Sequence, residues 1–466
     1  MIKIEESTVT ELQKAMQSGE LTSRELVLYY LSRIAEIDKC DGGLNSVIEI
    51  NPDALMIADS LDEVRKNGTI FSPLHGIPIM LKDNISTGDK MRTSAGSLAL
   101  QDNYALADAH IVTRLREAGA LILGKVNLTE FANHMSDMPG GYSSRGGQTL
   151  NPYDKTKCPG GSSTGSAVAV TANLCSVAVG TETSGSIIAP SQSNGIVGIK
   201  PTSGLLSNDG IIPISFTYDT AGPMTRTVAD AVILLGALAN KEKQVDYTQY
   251  LDKSGPEGVR IGIYGHVQEW FGENEKEELK FFEENIMPIL KANGAECVEL
   301  PESSLKIEVD EGPIMEYEFK CGINNYLASF GNKNSPKNLQ EIILFNQNHA
   351  KEALKYGQSD LLRCQNNTSG NLTEPDYLNA IVKREQIIKE FDDVFVENNV
   401  DVIFCLGGTR LSAYTGFPSM TIPFGMRKDN LPFGSFWTAR RFDEKMLIRV
   451  AYALEQILNA RVNPLN

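Results

Sequence analysis

Between about residues 69 and 240, short apolar segments alternate with helical segments, and glycine-rich turns separate them. The β-type segments cover residues 77–82, 120–126 and 176–182, and the helical ones cover 108–118 and 164–173. Strands that are apolar along almost their whole length are typical of a sheet buried on both faces. The sequence therefore predicts an α/β fold in which helices cover both faces of a large central sheet.

The two ends of the chain carry clear helix signals. Thr8 with Glu11, and Thr22 with Glu25, have the spacing of capping boxes and predict two opening helices. A regular apolar stripe predicts a last helix over about 444–460.

The middle of the chain differs from the rest in composition. Between about 241 and 395, glycines become rare and charged helical segments dominate. The β-type segments return at 400–406, 419–424 and 432–438. We therefore expect one domain over residues 1–466, with a core of about 1–240 and 396–466 and a helical, less regular region of about 241–395.

Composition limits the partners of this 466-residue chain. Its formal net charge of −16, without a cluster of lysines and arginines, argues against nucleic acid as a direct ligand. Seven scattered cysteines without a CxxC pair are typical of a reduced, cytoplasmic protein. The most hydrophobic stretch, 167–180, has 14 residues, whereas a membrane-spanning helix needs about 20. We expect a cytoplasmic monomer or homodimer that acts on a small molecule and not at a membrane.

Small residues concentrate in two segments, PGGSSTGSA at 159–167 and GTETSGSI at 180–187. Small side chains let backbone N–H groups converge on an anion. Converging N–H groups suit either a phosphate or the oxyanion of acyl transfer.

Three local patterns offer different chemistry. Gly161 to Gly165 is a GxSxG in which Ser163 would attack, but that mechanism requires a histidine base, and none of the five histidines follows a late strand. Residues 119–125, GALILGK, approach a P-loop, but a valine follows where Mg²⁺ requires Ser or Thr. Lys82 ends the apolar segment GIPIMLKD, and a buried amine can be the base of a serine nucleophile.

GIPIMLKD, PGGSSTGSA and GTETSGSI, in this order, resemble the motifs of the amidase signature hydrolases. The 24 positions between Ser162 and Ser186 agree with that family, and the resemblance covers most of the chain, weakly over 241–395. It implies an α/β/α fold with a large mixed central sheet. It also implies an amidase that hydrolyses linear amide C–N bonds and needs no metal or other cofactor.

Carried over position by position, the resemblance implies a Ser-Ser-Lys triad. Ser186 would be the nucleophile that forms the acyl-enzyme, Ser162 the relay and Lys82 the base. Ser162 would follow a cis peptide bond from Gly161.

Further residues match supporting positions of the family. The backbone N–H groups of one loop would bind the oxyanion: Thr183, Ser184, Gly185 and Ser186. Ser163 and Glu182 would tether the relay. Candidate substrate-binding residues are Gly161, Ile188, Asn133, Met135 and Ser136.

The proposed base must lose its charge. A lysine pKa near 10.4 must fall to about 7, which requires about 4 kcal/mol of destabilisation of the ammonium. Burial can supply this, whereas a directly paired carboxylate would oppose it. Asp83 adjoins Lys82 in sequence, but alternation along a strand predicts that it points to the opposite face.

The motifs are compatible with several classes of amide substrate. Ile188 stands where many members have an arginine that suits carboxylate-bearing substrates, so we expect neutral amides. The text at 207–224 most resembles bacterial peptide amidases, which cleave C-terminal carboxamides. The alternatives are the glutaminase (A) subunit of a tRNA-dependent amidotransferase, and a binding protein that has lost catalysis.

Overall fold

The computed structural model describes residues 3–465 except 241, 243–244, 266–274 and 407. The strands are β1 (Val47–Ile50), β2 (Pro78–Lys82), β3 (Leu121–Val126), β4 (Tyr142–Ser143), β5 (Gly147–Gln148), β6 (Val177–Glu182), β7 (Val197–Lys200), β8 (Thr220–Thr225), β9 (Arg260–Tyr264), β10 (Glu296–Glu299), β11 (Val402–Cys405), β12 (Ser419–Thr421), β13 (Pro423–Met426), β14 (Pro432–Gly434) and β15 (Trp437–Ala439).

Within the described residues, eleven of these strands form one sheet in the order β1-β3-β2-β6-β8-β7-β12-β15-β11-β9-β10. β2 runs parallel to both β3 and β6, and β9 runs parallel to β10 and β11. The other pairs in this sheet are antiparallel, so the sheet is mixed, as the resemblance implied.

The helices vary from one turn to six. They are α1 (Val9–Ser18), α2 (Ser23–Arg33), α3 (Ala54–Lys66), α4 (His110–Glu117), α5 (Glu130–Asn133), α6 (Thr164–Thr171), α7 (Ile188–Ser193), α8 (Val228–Leu238), α9 (Glu275–Phe281), α10 (Met287–Ala292), α11 (Gly312–Ser329), α12 (Leu339–Asn348), α13 (Ala350–Ala353), α14 (Ser359–Asn367), α15 (Pro375–Glu397), α16 (Leu411–Thr415) and α17 (Glu444–Leu458). Short 3₁₀ or π turns occur at Ile34–Asp38, Leu98–Leu100, Tyr247–Tyr250, Phe282–Ile286 and Glu302–Leu305.

The capping boxes of the two opening helices are confirmed. Thr8 and Thr22 each accept a hydrogen bond from the backbone of the glutamate three residues on, and that glutamate binds the threonine backbone in return. These contacts satisfy N–H groups that a helix start leaves without partners.

The predicted burial of the central strands is also confirmed. Every residue of β2, β3, β6 and β8 is buried, so helices and loops cover both faces of the sheet there. Because β2 and β6 are parallel neighbours, their carboxyl ends lie at the same sheet edge.

The region 241–395 is less purely helical than its composition predicts. β9 and β10 add two strands at one edge of the sheet, with Ile261 and Ile263 buried. Both strands are short and have charged residues around them, so the composition of the region does not indicate them. No helix among the described residues combines the length and the apolar character needed to cross a bilayer.

Candidate active site

β2 carries Lys82 to the edge of the sheet and buries it. Lys82 is the last residue of the strand and has no exposed surface. Its Nζ lies 2.8 Å from Ser162 Oγ and 3.0 Å from the carbonyl oxygen of Thr181, near the end of β6. The amine is therefore held between a hydroxyl and a carbonyl.

Burial lowers the pKa of Lys82 to about 7, although the charges of Asp219 and Glu182 oppose this effect. Both carboxylates are engaged elsewhere. Glu182 accepts the N–H groups of Ile187 and Ile188, and Asp219 accepts hydrogen bonds from three groups described below.

The carboxylate of Asp83 makes its hydrogen bonds away from the Lys82 amine. It accepts hydrogen bonds from the Ser94 hydroxyl and the Gly96 N–H, and it lies 3.3 Å from Arg145. The expectation that the adjacent carboxylate faces away from the amine is confirmed.

The segments 159–167 and 180–187 are called here the first and second glycine-serine segments. The loop before α6 holds Ser162 and Ser163 of the first one. The peptide bond from Gly161 to Ser162 is cis, as the resemblance implied. The hydroxyl of Ser163 donates to the carbonyl of Thr181 at 2.9 Å and accepts from its N–H at 3.2 Å. Ser163 N–H also donates to the carbonyl of Ser186 at 3.1 Å, so this loop is fastened to the second glycine-serine segment.

One glycine makes that close packing possible. A Cβ at Gly180 would lie 2.8 Å from Ser163 Oγ and 2.6 Å from the sulfur of Met224. A larger residue in β6 would push the loop away from the strand.

The second segment forms a tight turn between β6 and α7. The backbone of Gly185 has a φ of 81°, a left-handed conformation that favours glycine. Ser186 follows it and is 7% exposed. Thr183 Oγ1 donates to Asp219 at 2.5 Å, and Ser184 Oγ donates to Glu311 at 2.7 Å.

A cleft of about 420 Å³ opens beside this turn, a volume typical of small-molecule sites. Its polar side chains come from Glu182, Ser184, Gln192, Thr409, Arg410 and Ser412. Its apolar walls come from Ile188, Ala189, Ile307, Val309, Leu411, Ala413 and Phe436.

Of the candidate substrate-binding residues, Ile188 is among the residues lining this cleft, and the other four are not. Met135 is buried in a hydrophobic cluster with Phe319. The hydroxyl of Ser136 donates to a distant backbone carbonyl, and Asn133 is exposed. Gly161 is packed closely against Thr129, because a Cβ at this position would lie 2.7 Å from the Thr129 hydroxyl.

The hydrogen bonds leave the GxSxG interpretation without support. Both bonds of the Ser163 hydroxyl go to Thr181. His75, His134 and His349 are bonded to other groups, the buried Nδ1 of His110 has no hydrogen-bond partner among the described residues, and His266 lies outside them. The lysine of the P-loop-like segment, Lys125, is buried within β3 and donates to the carbonyl of Ile85 and the hydroxyl of Thr93.

Three residues at this site carried no functional assignment from the sequence: Asp219, Glu311 and Arg410. Asp219 lies in the segment 207–224, which resembles peptide amidases, and no other feature of the sequence indicated a role for it. Glu311 and Arg410 reach the turn from far along the chain, and no short motif surrounds either of them.

Comparison with known proteins decides the family. The family model of the amidases matches residues 25–407. The chain belongs to the amidase family. Amide hydrolysis is the chemistry of this family, and the fold and the position of the glycine-serine turns agree with it.

Several amidases and one subunit of an amidotransferase are similar to this chain along almost its whole length. A probable amidase of Arabidopsis thaliana is 36% identical, over 99% of this chain and 92% of that protein. The X-ray structure of native peptide amidase from Stenotrophomonas maltophilia has a TM-score of 0.90 at 40% identity, over 99% of this chain and 98% of that one. The glutamyl-tRNA(Gln) amidotransferase (A) subunit from Chromohalobacter salexigens is 33% identical, over 97% of this chain and 96% of that protein.

Proposed function

We propose that this amidase-family protein hydrolyses neutral carboxamides through an acyl-enzyme on Ser186, in the reaction R–CO–NH₂ + H₂O → R–COOH + NH₃. The observation that carries the proposal is the contact of 2.8 Å between the buried Lys82 Nζ and Ser162 Oγ. With its pKa lowered to about 7, the amine is largely neutral in weakly alkaline solution and can accept a proton.

In the first half of the reaction, Ser186 Oγ attacks the amide carbon. Its proton passes to Ser162 Oγ as Ser162 gives its own proton to the neutral Lys82. The carbonyl oxygen becomes an oxyanion, which accepts hydrogen bonds from the backbone N–H groups at 183–186. Such preorganised donors are commonly the largest single contribution to acyl-transfer catalysis.

In the second half, a proton first moves from Lys82 to the substrate, and a second proton later moves from water toward Lys82. The Lys82 ammonium returns a proton through Ser162 to the leaving nitrogen, and the C–N bond breaks to release ammonia. Water then attacks the ester carbon, again giving a proton to the relay. Collapse of the second tetrahedral intermediate releases the carboxylic acid and returns the proton to Ser186.

The charges around the cleft support a neutral acyl group. Arg410 is a cation among the lining residues, but Glu182 also lines the cleft. Burial raises the pKa of Glu311, and the charge of nearby Arg410 opposes this effect. The cleft therefore offers no net positive charge to a substrate carboxylate. Ile188 and the other apolar walls favour an aliphatic or aromatic substituent.

Peptide C-terminal amides are the substrates we propose first within this class. The likeness to the peptide amidase of Stenotrophomonas maltophilia supports this choice, at 40% identity along nearly the full chain. A peptide amide combines an uncharged reacting end with an apolar side chain, which suits the lining of the cleft.

An ammonia-release screen tests the proposal. The panel contains aliphatic amides, aromatic amides, peptide carboxamides and glutamine, each with wild-type protein and with Ser186→Ala. We expect ammonia from the neutral amides without any partner protein, and none with Ser186→Ala. A fluorophosphonate probe should label the wild type and the Ser163→Ala variant, but not Ser186→Ala.

The glutaminase role in an amidotransferase is the second candidate, since the Chromohalobacter salexigens relative matches along almost its whole length. Glutamine as the sole substrate, with activity only beside partner subunits, would favour it. Release of no ammonia either alone or beside partner subunits, together with an inert fluorophosphonate reaction, would contradict both candidates and favour a binding protein.

A further inference from the structure

Two buried glutamates near the start of α11 are connected to the candidate oxyanion loop, residues 183–186, one directly and one through other residues. Glu311 immediately precedes the helix, and Glu318 lies seven residues later within it. Residues seven apart lie on the same helix face, two turns from each other. Glu311 is 7% exposed, and Glu318 has no exposed surface.

Glu311 contacts the loop directly. The hydroxyl of Ser184 donates to Glu311 Oε1 at 2.7 Å. The contact depends on the side chain of Ser184, because its hydroxyl is the donor.

Glu318 reaches the loop through a second segment. Its carboxylate accepts hydrogen bonds from the hydroxyls of Ser215, Thr217 and Tyr377, and from the Thr217 N–H at 3.0 Å. These contacts fix residues 215–217 against α11.

Asp219 continues that connection to the loop. It accepts the N–H groups of Ile214 at 2.8 Å and Ser215 at 3.1 Å, and the hydroxyl of Thr183 at 2.5 Å. Two separate chains of contacts thus run from α11 to the consecutive residues Thr183 and Ser184.

α11 is itself firmly anchored. Ile314 lies in one hydrophobic cluster, and Phe319 and Ile323 lie in another, all without exposed surface. A helix packed in this way is a rigid support for the contacts that its glutamates make.

We infer that Glu311 is a positioning residue that holds the backbone N–H groups of residues 183–186 at the place where the oxyanion develops, beside the separate support that Thr183 receives from Glu318 through residues 215–219. This inference rests on the proposed function, since it assigns the support of the same oxyanion site. Hydrogen bonds to a carboxylate are stronger than those between neutral groups, so they resist displacement of the loop. The effect belongs to the transition state, because the donors must match the position of the oxyanion.

The experiment compares kcat and KM for a peptide carboxamide in the full-length protein. The variants are Glu311→Ala, Glu311→Gln, Ser184→Ala and the double variant of Glu311→Ala with Ser184→Ala. Glu316 provides the matched control, because it lies on the same helix but bonds to Arg363 and Asn367. Thermal unfolding checks that each variant is folded.

We expect Glu311→Ala to lower kcat by about tenfold or more with KM nearly unchanged, since loss of one oxyanion donor costs about 10²–10³ in kcat. Glu311→Gln should recover much of the loss, because its amide oxygen still accepts from Ser184. The double variant should be no slower than the slower single variant, and Glu316→Ala should match the wild type.

Wild-type kcat in both Glu311→Ala and Ser184→Ala would overturn the inference, and so would losses that multiply in the double variant. Ser184→Ala deletes only a hydroxyl, so it carries the test if Glu311→Ala does not fold. In these outcomes the wild type still hydrolyses the amide through Ser186, and the proposed function stands. Wild-type protein that releases no ammonia and whose Ser186 is not labelled would overturn both.

Discussion

Two lysines, Lys82 and Lys125, are buried on neighbouring parallel strands, yet their surroundings suit different tasks. In the register of β2 and β3, Lys125 pairs with Leu81 and not with Lys82, so the two side chains point to opposite faces of the sheet. Burial lowers the pKa of Lys82 to about 7 and that of Lys125 to about 8. Loss of solvent alone therefore does not distinguish them.

The partners of each amine make the difference. Lys125 donates to the carbonyl of Ile85 at 2.6 Å and to the hydroxyl of Thr93 at 3.0 Å. The charges of Asp83, Asp89 and Glu49 raise its pKa against the effect of burial. These contacts join β3 to the loops beyond β2 and lead to no candidate nucleophile.

Lys82 instead contacts a hydroxyl that belongs to the glycine-serine loop fastened to Ser186. The comparison teaches that a buried lysine becomes a candidate base through the hydroxyl it contacts. Burial prepares the amine for proton transfer, and the neighbouring side chain decides where the proton goes.

The largest expected effect separates the two lysines by activity. Lys82→Met should lower kcat by about a thousandfold or more, because the relay then lacks its base. Lys125→Met should keep kcat within a few-fold of the wild type when folded protein is compared. Steady-state ammonia release at pH 8 gives both values, and near-normal turnover by Lys82→Met would remove the distinction.

The next effect compares the two hydroxyls. Ser162→Ala should lower kcat by about a hundredfold, a loss typical of a missing proton-transfer group. Thr93→Val removes the hydroxyl beside Lys125 with little change of shape and should leave kcat unchanged. Equal losses in these two variants would show that both hydroxyls merely support the fold.

The pH dependence sharpens the assignment of the base. Since neutral Lys82 is the active form, kcat/KM should rise with pH through a limb centred near pH 7. The charge of Asp219 raises the pKa of Lys82, so Asp219→Asn should move this limb toward lower pH. Burial raises the pKa of Asp219 to about 7 as well, so the wild-type limb reports a coupled pair. A limb that stays in place in Asp219→Asn would contradict this electrostatic account.

The smallest effect is on stability. Because the pKa of Lys82 is depressed by folding, the unfolded chain binds a proton that the folded protein lacks between about pH 7 and pH 10.4. The free energy of unfolding of the wild type therefore rises with pH through that window and decreases again as the pH falls to 7. Lys82→Met should raise Tm by about 1–3 °C at pH 7, and this advantage should shrink at pH 9.

Calorimetry at the two pH values measures that change, and Lys125→Met is the matched comparison. The pKa of Lys125 falls only to about 8, so its replacement should raise Tm less at pH 7 than Lys82→Met does. Arg145 remains beside both Asp83 and Glu49 in this variant. A Tm advantage of Lys82→Met that grows with pH would have the wrong sign for a buried neutral amine.

Local patterns predicted much of the fold. The capping boxes at Thr8 and Thr22 were predictable because all their contacts lie within four residues. The bounds of the buried strands β2, β3 and β6 agree within one residue with the predicted apolar segments, because continuous burial requires a continuous run of apolar residues. β9 and β10 were missed because each is a short segment surrounded by charged residues.

The site was predictable only in part, for the same physical reason. The glycine-serine segments and Lys82 stand out because close backbone packing and a buried charge restrict the residues there. Glu311 reaches Ser184 across 127 positions, and such a contact leaves no periodic trace in the sequence. Met135, inside a hydrophobic cluster, shows that closeness to a motif in sequence does not bring a residue to the cleft.

The protonation state of Lys82 tests the central claim most directly. Protein labelled with ¹³C at the lysine ε carbon can be titrated by NMR, with the Lys82 signal assigned by its absence from Lys82→Met. We predict a midpoint near pH 7, below that of Lys125 near pH 8. A Lys82 midpoint at the ordinary lysine value of about 10.4 would mean that the amine stays charged at neutral pH and cannot be the base.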